Sequence, residues 1–317
     1  MPAPRLGCHL SLGLKPASQL AEARRHGVEC MQIFASSPGA WKPPIEASER
    51  ERTCRRSRTD FDIEPLFIHA IYLINLASAD PVLVGRSARS LEATLGAGAR
   101  LGASGVITHI GSHGGRGFEA VAGQASDALL DVLARTPENV DLILENSAGA
   151  GGIIGSTLEE LAELINRAGN HPRLKIALDT AHLCGAGWDL TDEDAAVRLV
   201  DAVARTIGLD RLAVVHANDS KTAPGSHHDR HAVVGEGFIG LTGFHNLLDR
   251  PELRAVPWIL ETPDLDTRLD EGKRFRSLAV LQHLRGEQAE AGAGRISVPT
   301  PSQVSLPPAI LERRIDA

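Results

Sequence analysis

Aromatic residues make up only 3% of the 317, with a single tyrosine, so a hydrophobic core has to be built from Leu, Ile, Val and Ala. The four cysteines (Cys8, Cys30, Cys54 and Cys184) are scattered and form no C-x-x-C pair. That spacing excludes a thiolate zinc motif and argues against a disulfide framework; the cysteines read as small, reduced core residues. No uninterrupted apolar run approaches the about 18 residues of a membrane span. The start, MPAPRLGCHLSLGL, lacks the basic flank and continuous apolar segment of a secretory leader. A cytoplasmic protein without membrane association is expected. Positive charge is also scarce: the net charge is −7 with histidines neutral, whereas nucleic-acid binders usually carry a basic surface. That sum misleads if several of the acids are metal ligands, because bound cations offset them locally.

What the sequence does have is a regular alternation. Short β-rich runs, RLGCHLS, CMQIFAS, IEPLFIHA, SGVITHI, VDLILEN, RLKIALD, RLAVVHA and VPWILET, are separated by segments with apolar residues at helical spacing, such as TLEELAELINRAG and AAVRLVDAVARTIG. The first of these helices has Ser156 or Thr157 to cap its start and Gly169 beyond its end. The strands are nearly continuous apolar runs, as in a parallel sheet buried on both faces. Eight strands alternating with helices over residues 1–285 predict a TIM (β/α)8 barrel with long rim loops. A doubly wound open sheet is the alternative; no Walker loop favours it. From about Gly286 the texture becomes rich in Gly, Ala, Pro and Ser, and a flexible tail over 286–317 is expected.

The strand ends carry the functional signal. Six successive strands terminate at His69, His109, Glu145, Asp179, His216 and Glu261. In a parallel barrel these positions meet on the C-terminal rim, where active sites are built. One such histidine has a bland reading as a hydrogen-bonded core residue; six in the same topological place do not. Asp179 and His182 are three apart on the turn leaving a strand. Asp229 and His231 are two apart, so an extended backbone directs both to one side. Imidazole and carboxylate without thiolate suit zinc or another divalent transition metal. Nine such residues exceed the needs of one ion and fit two or three. His227 and His228 read as solvated loop residues, and His26, His171 and His245 as surface. His9, His113 and Cys184 stay open between structural and site roles.

At these positions the sequence resembles the endonuclease IV family of abasic-site nucleases. The matching blocks, HAIYLINLAS, HIGSH, LENSAGAGG, LDTAHLCGAGWDL, HANDSKTAPGSHHDRHAVVGEGFIG and ILETP, run in order through nearly the whole chain before the tail. The resemblance implies a TIM barrel with three Zn2+ per chain. His69, His109 and Glu145 would hold the first ion, with Glu145 bridging to a second completed by Asp179, His216 and Glu261; His182, Asp229 and His231 would hold the third. Coordination lowers the pKa of water, and metal ions disperse charge on a phosphodiester. Glu145 would set the metal separation, and Glu261 would orient or deprotonate the attacking water. The implied activity is base excision repair chemistry: hydrolysis of DNA 5′ to an abasic site and trimming of blocked 3′ ends, by a monomer acting on duplex DNA.

The resemblance also implies DNA contacts from Tyr72 and Leu73, on a loop that enters the minor groove; the alternative for Tyr72 is packing on the barrel rim. Lys221 reads either as a phosphate contact or as a solvated loop lysine. Three departures affect DNA contact rather than the zinc set. Residues 35–41 read ASSPGAW where the family places a basic or polar probe, so Ser37 or Trp41 would have to serve. Ala70 replaces an acid, and HIGSH replaces His-Pro-Gly. The rival enzyme class is a sugar isomerase or epimerase of the xylose-isomerase type on the same barrel. It needs one or two metals and has no use for Asp229 and His231.

Overall fold

The computed structural model describes residues 3–13, 15–44, 49–266, 268 and 274–291. Eight strands in these residues close into a parallel barrel. They are β1 (Leu6–His9), β2 (Cys30–Phe34), β3 (Leu66–His69), β4 (Gly105–Thr108), β5 (Asp141–Glu145), β6 (Leu174–Asp179) and β7 (Leu212–His216), completed by β10 (Trp258–Leu260). Between β7 and β10, β8 (Asp219–Ser220) and β9 (His231–Ala232) form a small antiparallel pair on the rim. β1 pairs with both β2 and β10. The sheet therefore has no open edge, which rules out the doubly wound alternative. Each strand is the centre of an apolar run expected from the sequence, trimmed where the run passes into a turn.

The helices are α1 (Pro16–Arg25), α2 (Glu49–Asp60), α3 (Pro81–Leu101), α4 (Glu119–Ala134), α5 (Leu158–Arg167), α6 (Thr180–Ala186), α7 (Ala195–Thr206), α8 (Gly240–Leu248), α9 (Pro251–Arg254) and α10 (Arg276–Ala291). α5 shows why the outer ring forms. Leu158, Leu161, Leu164 and Ile165 fall on one face and are buried, each such side chain stabilising by roughly 1.5–3 kcal/mol. Thr157 is its cap, accepting from the amide of Glu160, while the Glu160 carboxylate reaches back to the amides of Gly155 and Ser156; reciprocal bonds of this kind fix a helix start. α10 runs to Ala291, past the compositional boundary at Gly286; the remainder of the expected tail lies outside the described residues. Among the described residues no helix is long and apolar enough to cross a membrane. All four cysteines are buried and unbridged.

Strand pleating sorts the barrel interior into layers. Cys30, Phe67, Ile107, Ile143, Ala177, Val214 and Ile259, one from each of seven strands, contact one another as a cluster separate from the main core. Seven parallel strands can meet in this way only inside the barrel. β1 brings Gly7 to this level because nothing larger fits: a Cβ there would stand 1.9 Å from the Cys30 carbonyl oxygen. Two residues further along each strand, the next inward layer reads His9, Gln32, His69, His109, Glu145, Asp179, His216 and Glu261. An apolar plug thus floors a ring of eight polar side chains at the C-terminal mouth.

Candidate metal centre

Ligand-type atoms of this ring, joined by His182 from α6 and His231 from β9, converge in three groups, each with its atoms within 4.8 Å of one another: His69, His109 and Glu145; Glu145, Asp179, His216 and Glu261; and Asp179, His182 and His231. Glu145 joins the first two groups. Its Oε2 lies 3.1 Å from His69 Nε2 and 3.6 Å from His109 Nε2, while its Oε1 lies 2.8 Å from His216 Nδ1. Asp179 links the second group to the third, with Oδ2 3.7 Å from His231 Nε2. Asp229, expected beside His182 and His231, does stand between them: its two oxygens are 3.2 Å from His182 Nε2 and 3.1 Å from His231 Nε2. All nine residues singled out as ligands therefore meet at the barrel mouth. β4 ends one residue before His109 and β10 one before Glu261.

The backbone commits one nitrogen of several imidazoles and thereby aims the other. Nδ1 of His69 bonds to the Ala70 carbonyl at 2.7 Å, leaving Nε2 toward Glu145. Nδ1 of His182 bonds to the Asn146 carbonyl at 2.9 Å, and Nδ1 of His231 to the Glu261 carbonyl at 3.3 Å. His231 Nε2 is buried and makes no hydrogen bond, although it faces two carboxylates. A buried polar atom left in that state is costly, and a cation held between it and the carboxylates would remove the cost. The donor set is nitrogen and oxygen throughout, which fits zinc-like divalent ions.

Without metal the charges compensate each other. Burial disfavours the His216 imidazolium, but Glu261 and Glu145 outweigh it and push its pKa up to about 9. His231 likewise resists burial through Asp229 and Asp179 and rises to about 9. His109, less closely paired, is carried by burial down to about 4. Burial pushes the Asp229 carboxyl up, but the imidazoles of His182 and His231 beside it bring it below the usual carboxylate range.

Several residues with a part in this architecture carry no ligand-type signal in the sequence. Gln32 and Asn218 are buried amides that hold the ligand carboxylates. Asn218 Nδ2 donates to Asp179 Oδ2 at 2.6 Å and to Glu261 Oε2 at 3.3 Å, and Asn218 Oδ1 accepts from the Glu261 amide at 2.8 Å. Asp219 accepts from the amides of Ser220, Gly235, Gly237, Ile239 and Gly240, tying the 235–240 turn to the hairpin of β8 and β9. A Cβ on Gly237 would come within 2.3 Å of Asp219 Oδ1, so the turn closes only over glycine.

The rim residues divide. Tyr72 is 60% exposed, its ring meeting Phe34 edge-on at 5.3 Å. Leu73 is half-buried against the core, and Lys221 is exposed. Residues 35–41 contain no arginine, but α3 brings Arg86 over the Trp41 ring, with 4.6 Å from Cζ to the ring centroid. His227 and His228 are exposed, as expected; His227 Nδ1 ties the loop to the Ala148 carbonyl at 3.1 Å. His113 Nδ1 accepts from the amides of Gly115 and Gly117, a structural role. Cys184 is buried with its thiol on the Thr222 carbonyl, and burial raises its pKa. None of Cys184, His26, His171 and His245 belongs to the three groups.

Residues 20–279 match the family model described as xylose isomerase-like TIM barrel. The chain is 36% identical over 266 residues to a probable endonuclease 4 of Halothermothrix orenii, covering 83% of this chain and 95% of that protein. It is 37% identical to the probable endonuclease 4 of Natranaerobius thermophilus over 84% of this chain and 94% of that one. The crystal structure of endonuclease IV from Thermus thermophilus superposes with a TM-score of 0.78 at 34% identity, covering 90% of this chain and 100% of that chain. A D-tagatose 3-epimerase-like protein, at 18% identity and a TM-score of 0.65, shares the fold alone. The chain belongs to the endonuclease IV family.

Proposed function

We propose that this protein is a zinc-dependent endonuclease acting on abasic sites in duplex DNA. It would cut the phosphodiester 5′ to the lesion and clear blocked 3′ ends, leaving a 3′-hydroxyl. The observation that carries the reading is the sharing of Glu145 and Asp179 among three ligand groups in one mouth. His69, His109 and Glu145 would hold one Zn2+; Glu145, Asp179, His216 and Glu261 a second; His182, Asp229 and His231, with Asp179 beside them, a third. When bound, such a centre supplies a water of lowered pKa and disperses the charge of the phosphate and its leaving oxygen.

The chain's own residues account for the rest. Among the carboxylates of the four-residue group, Glu145 and Asp179 are 1% and 0% exposed, whereas Glu261 is 17% exposed. Glu261 is therefore the one that can reach a water at the entrance. Burial pushes its carboxyl up, yet His216 holds it well below the usual range, so it is ionised. Hydrolysis forms one O–P bond and breaks the P–O3′ bond; the water proton goes to Glu261, which passes it through solvent to the departing 3′-oxygen, leaving a hydroxyl there and Glu261 ionised again. Tyr72 and Leu73 stand on the loop leaving His69 and would enter the minor groove at the missing base, with Lys221 on a phosphate.

An epimerase reading leaves His182, Asp229 and His231 without a task, and the epimerase likeness extends only to the fold. The test is a nicking assay with zinc-loaded protein on matched duplexes, with and without one abasic site. Cleavage of the damaged duplex alone is expected. Intact abasic DNA together with epimerisation of a ketose would overturn the proposal.

A further inference from the structure

Two of the eight positions in the polar ring, His9 and Gln32, are not in any ligand group. Gln32 is fully buried, and burying an amide costs free energy unless both of its ends are bonded. Both are. Nε2 lies 2.6 Å from Glu261 Oε1 and 2.8 Å from His9 Nδ1, and Oε1 lies 2.8 Å from His216 Nε2. The strand register makes this possible: Gln32 pairs with His9 across β2 and β1, and Cys8 with Leu260 across β1 and β10. Gln32, His9 and Glu261 thus follow one another around the same layer, and the Gln32 side chain spans the mouth to His216.

The orientation of the amide is fixed by chemistry. An ionised carboxylate can only accept, so the group 2.6 Å from Glu261 Oε1 must be the NH2 end. The amide oxygen is thereby turned to His216, whose Nε2 must carry a proton to donate to it. That leaves Nδ1 as the metal-binding nitrogen of His216, and Nδ1 is the atom that faces Glu145 at 2.8 Å, Glu261 at 3.5 Å and Asp179 at 3.9 Å. A reversed amide would set oxygen against carboxylate oxygen and release His216 to the wrong tautomer.

We infer that Gln32 is a positioning residue for the metal held by Glu145, Asp179, His216 and Glu261. One hydrogen of its amide fixes Glu261, the carboxylate proposed to take the water proton, and its oxygen selects the tautomer of His216. The inference rests on the proposed zinc centre and deepens it. It needs no contact between Gln32 and DNA or metal. Outer partners of this kind change metal affinity by about 10–100-fold.

The test separates hydrogen bonding from filling space. Gln32→Met has a similar volume and no polar atoms able to replace the amide, and Gln32→Glu has the same shape but removes the NH2 donor. Each full-length protein is loaded with zinc and challenged with graded amounts of a chromophoric chelator, while far-UV circular dichroism monitors folding. Wild type should keep three zincs. Both variants should stay folded and release one zinc at about 10–100-fold lower chelator activity, with the other two retained. If one variant fails to fold, the other decides. Wild-type zinc retention in a folded variant would overturn the role of Gln32 whatever the nicking assay shows. Failure of the zinc-loaded wild type to nick abasic DNA would instead overturn the nuclease reading, and a wild type that holds no zinc would overturn both.

Discussion

At the residue scale, the site depends on side chains that each face two neighbours. Glu145 presents one oxygen to His69 and His109 and the other to His216; Glu261 is held by Gln32 and Asn218 while remaining the most accessible carboxylate of its four-residue group. Glu261→Gln keeps the shape and removes the proton acceptor. It should lower nicking by at least about 10³-fold, within the range of general-base and electrostatic losses combined, with an unchanged circular dichroism spectrum; residual activity within about tenfold of wild type would contradict its role. The metal-free state has its own signature. His216 and His231 are raised to about 9 from an unfolded value near 6.5. Groups raised in this way stabilise the fold fully below the unfolded pKa and lose that contribution as pH rises through the folded one. The melting temperature of metal-free protein should therefore fall between about pH 6.5 and 9. In the proposed zinc-loaded form metal would take the place of those protons, and the slope should be much shallower. Parallel slopes in thermal melts of the two forms would show that these imidazoles are not where the metal binds.

Legibility at this scale followed chemical type. His69, His109, Glu145, Asp179, His216 and Glu261 announced themselves because a charged or imidazole group ending an apolar run is conspicuous. Gln32 did not, because it sits inside CMQIFAS rather than at its end and its amide has no ligand signature; only the closed register brings it beside His9. Arg86 was equally hidden, since it reaches Trp41 from a helix distant in sequence.

At the element scale, the decisive addition to the barrel is the excursion between β7 and β10. It delivers Asp229 and His231 to the mouth, and the Asp219 carboxylate anchors it through five amides. Asp229→Ala should leave the barrel intact but reduce bound zinc from three to two per chain, read by elemental analysis; three retained zincs would show that Asp179 completes the third group unaided. Asp219→Ala removes the shared acceptor of these amides, and each bond to a charged acceptor contributes about 1.5–3 kcal/mol. Amide hydrogen exchange should accelerate across residues 235–240 with little change in β2 through β5. Uniform protection in the variant would mean that the turn does not depend on Asp219. The sequence displayed the histidines of this loop. Its anchor is an aspartate whose partners, Ser220 apart, lie 16 to 21 residues downstream and could not be paired by inspection.

At the scale of the whole molecule, the alternation of strands and helices is sufficient to read the barrel, and closure through β1 and β10 explains why. Every barrel strand supplies an apolar residue to the plug or, in β1, a glycine that lets β2 approach. Every strand then supplies a polar one to the ring above. The net charge of −7 no longer argues against DNA, because Glu145, Asp179, Asp229 and Glu261 are gathered at the mouth, where three divalent ions would reverse the local sign. The most direct measurement is a titration of Zn2+ into metal-free protein, scored by nicking of a duplex with one abasic site. If the three groups form one working centre, nicking should rise to its maximum only with the third equivalent. Full activity after one equivalent, or intact DNA with three zincs bound, would contradict it.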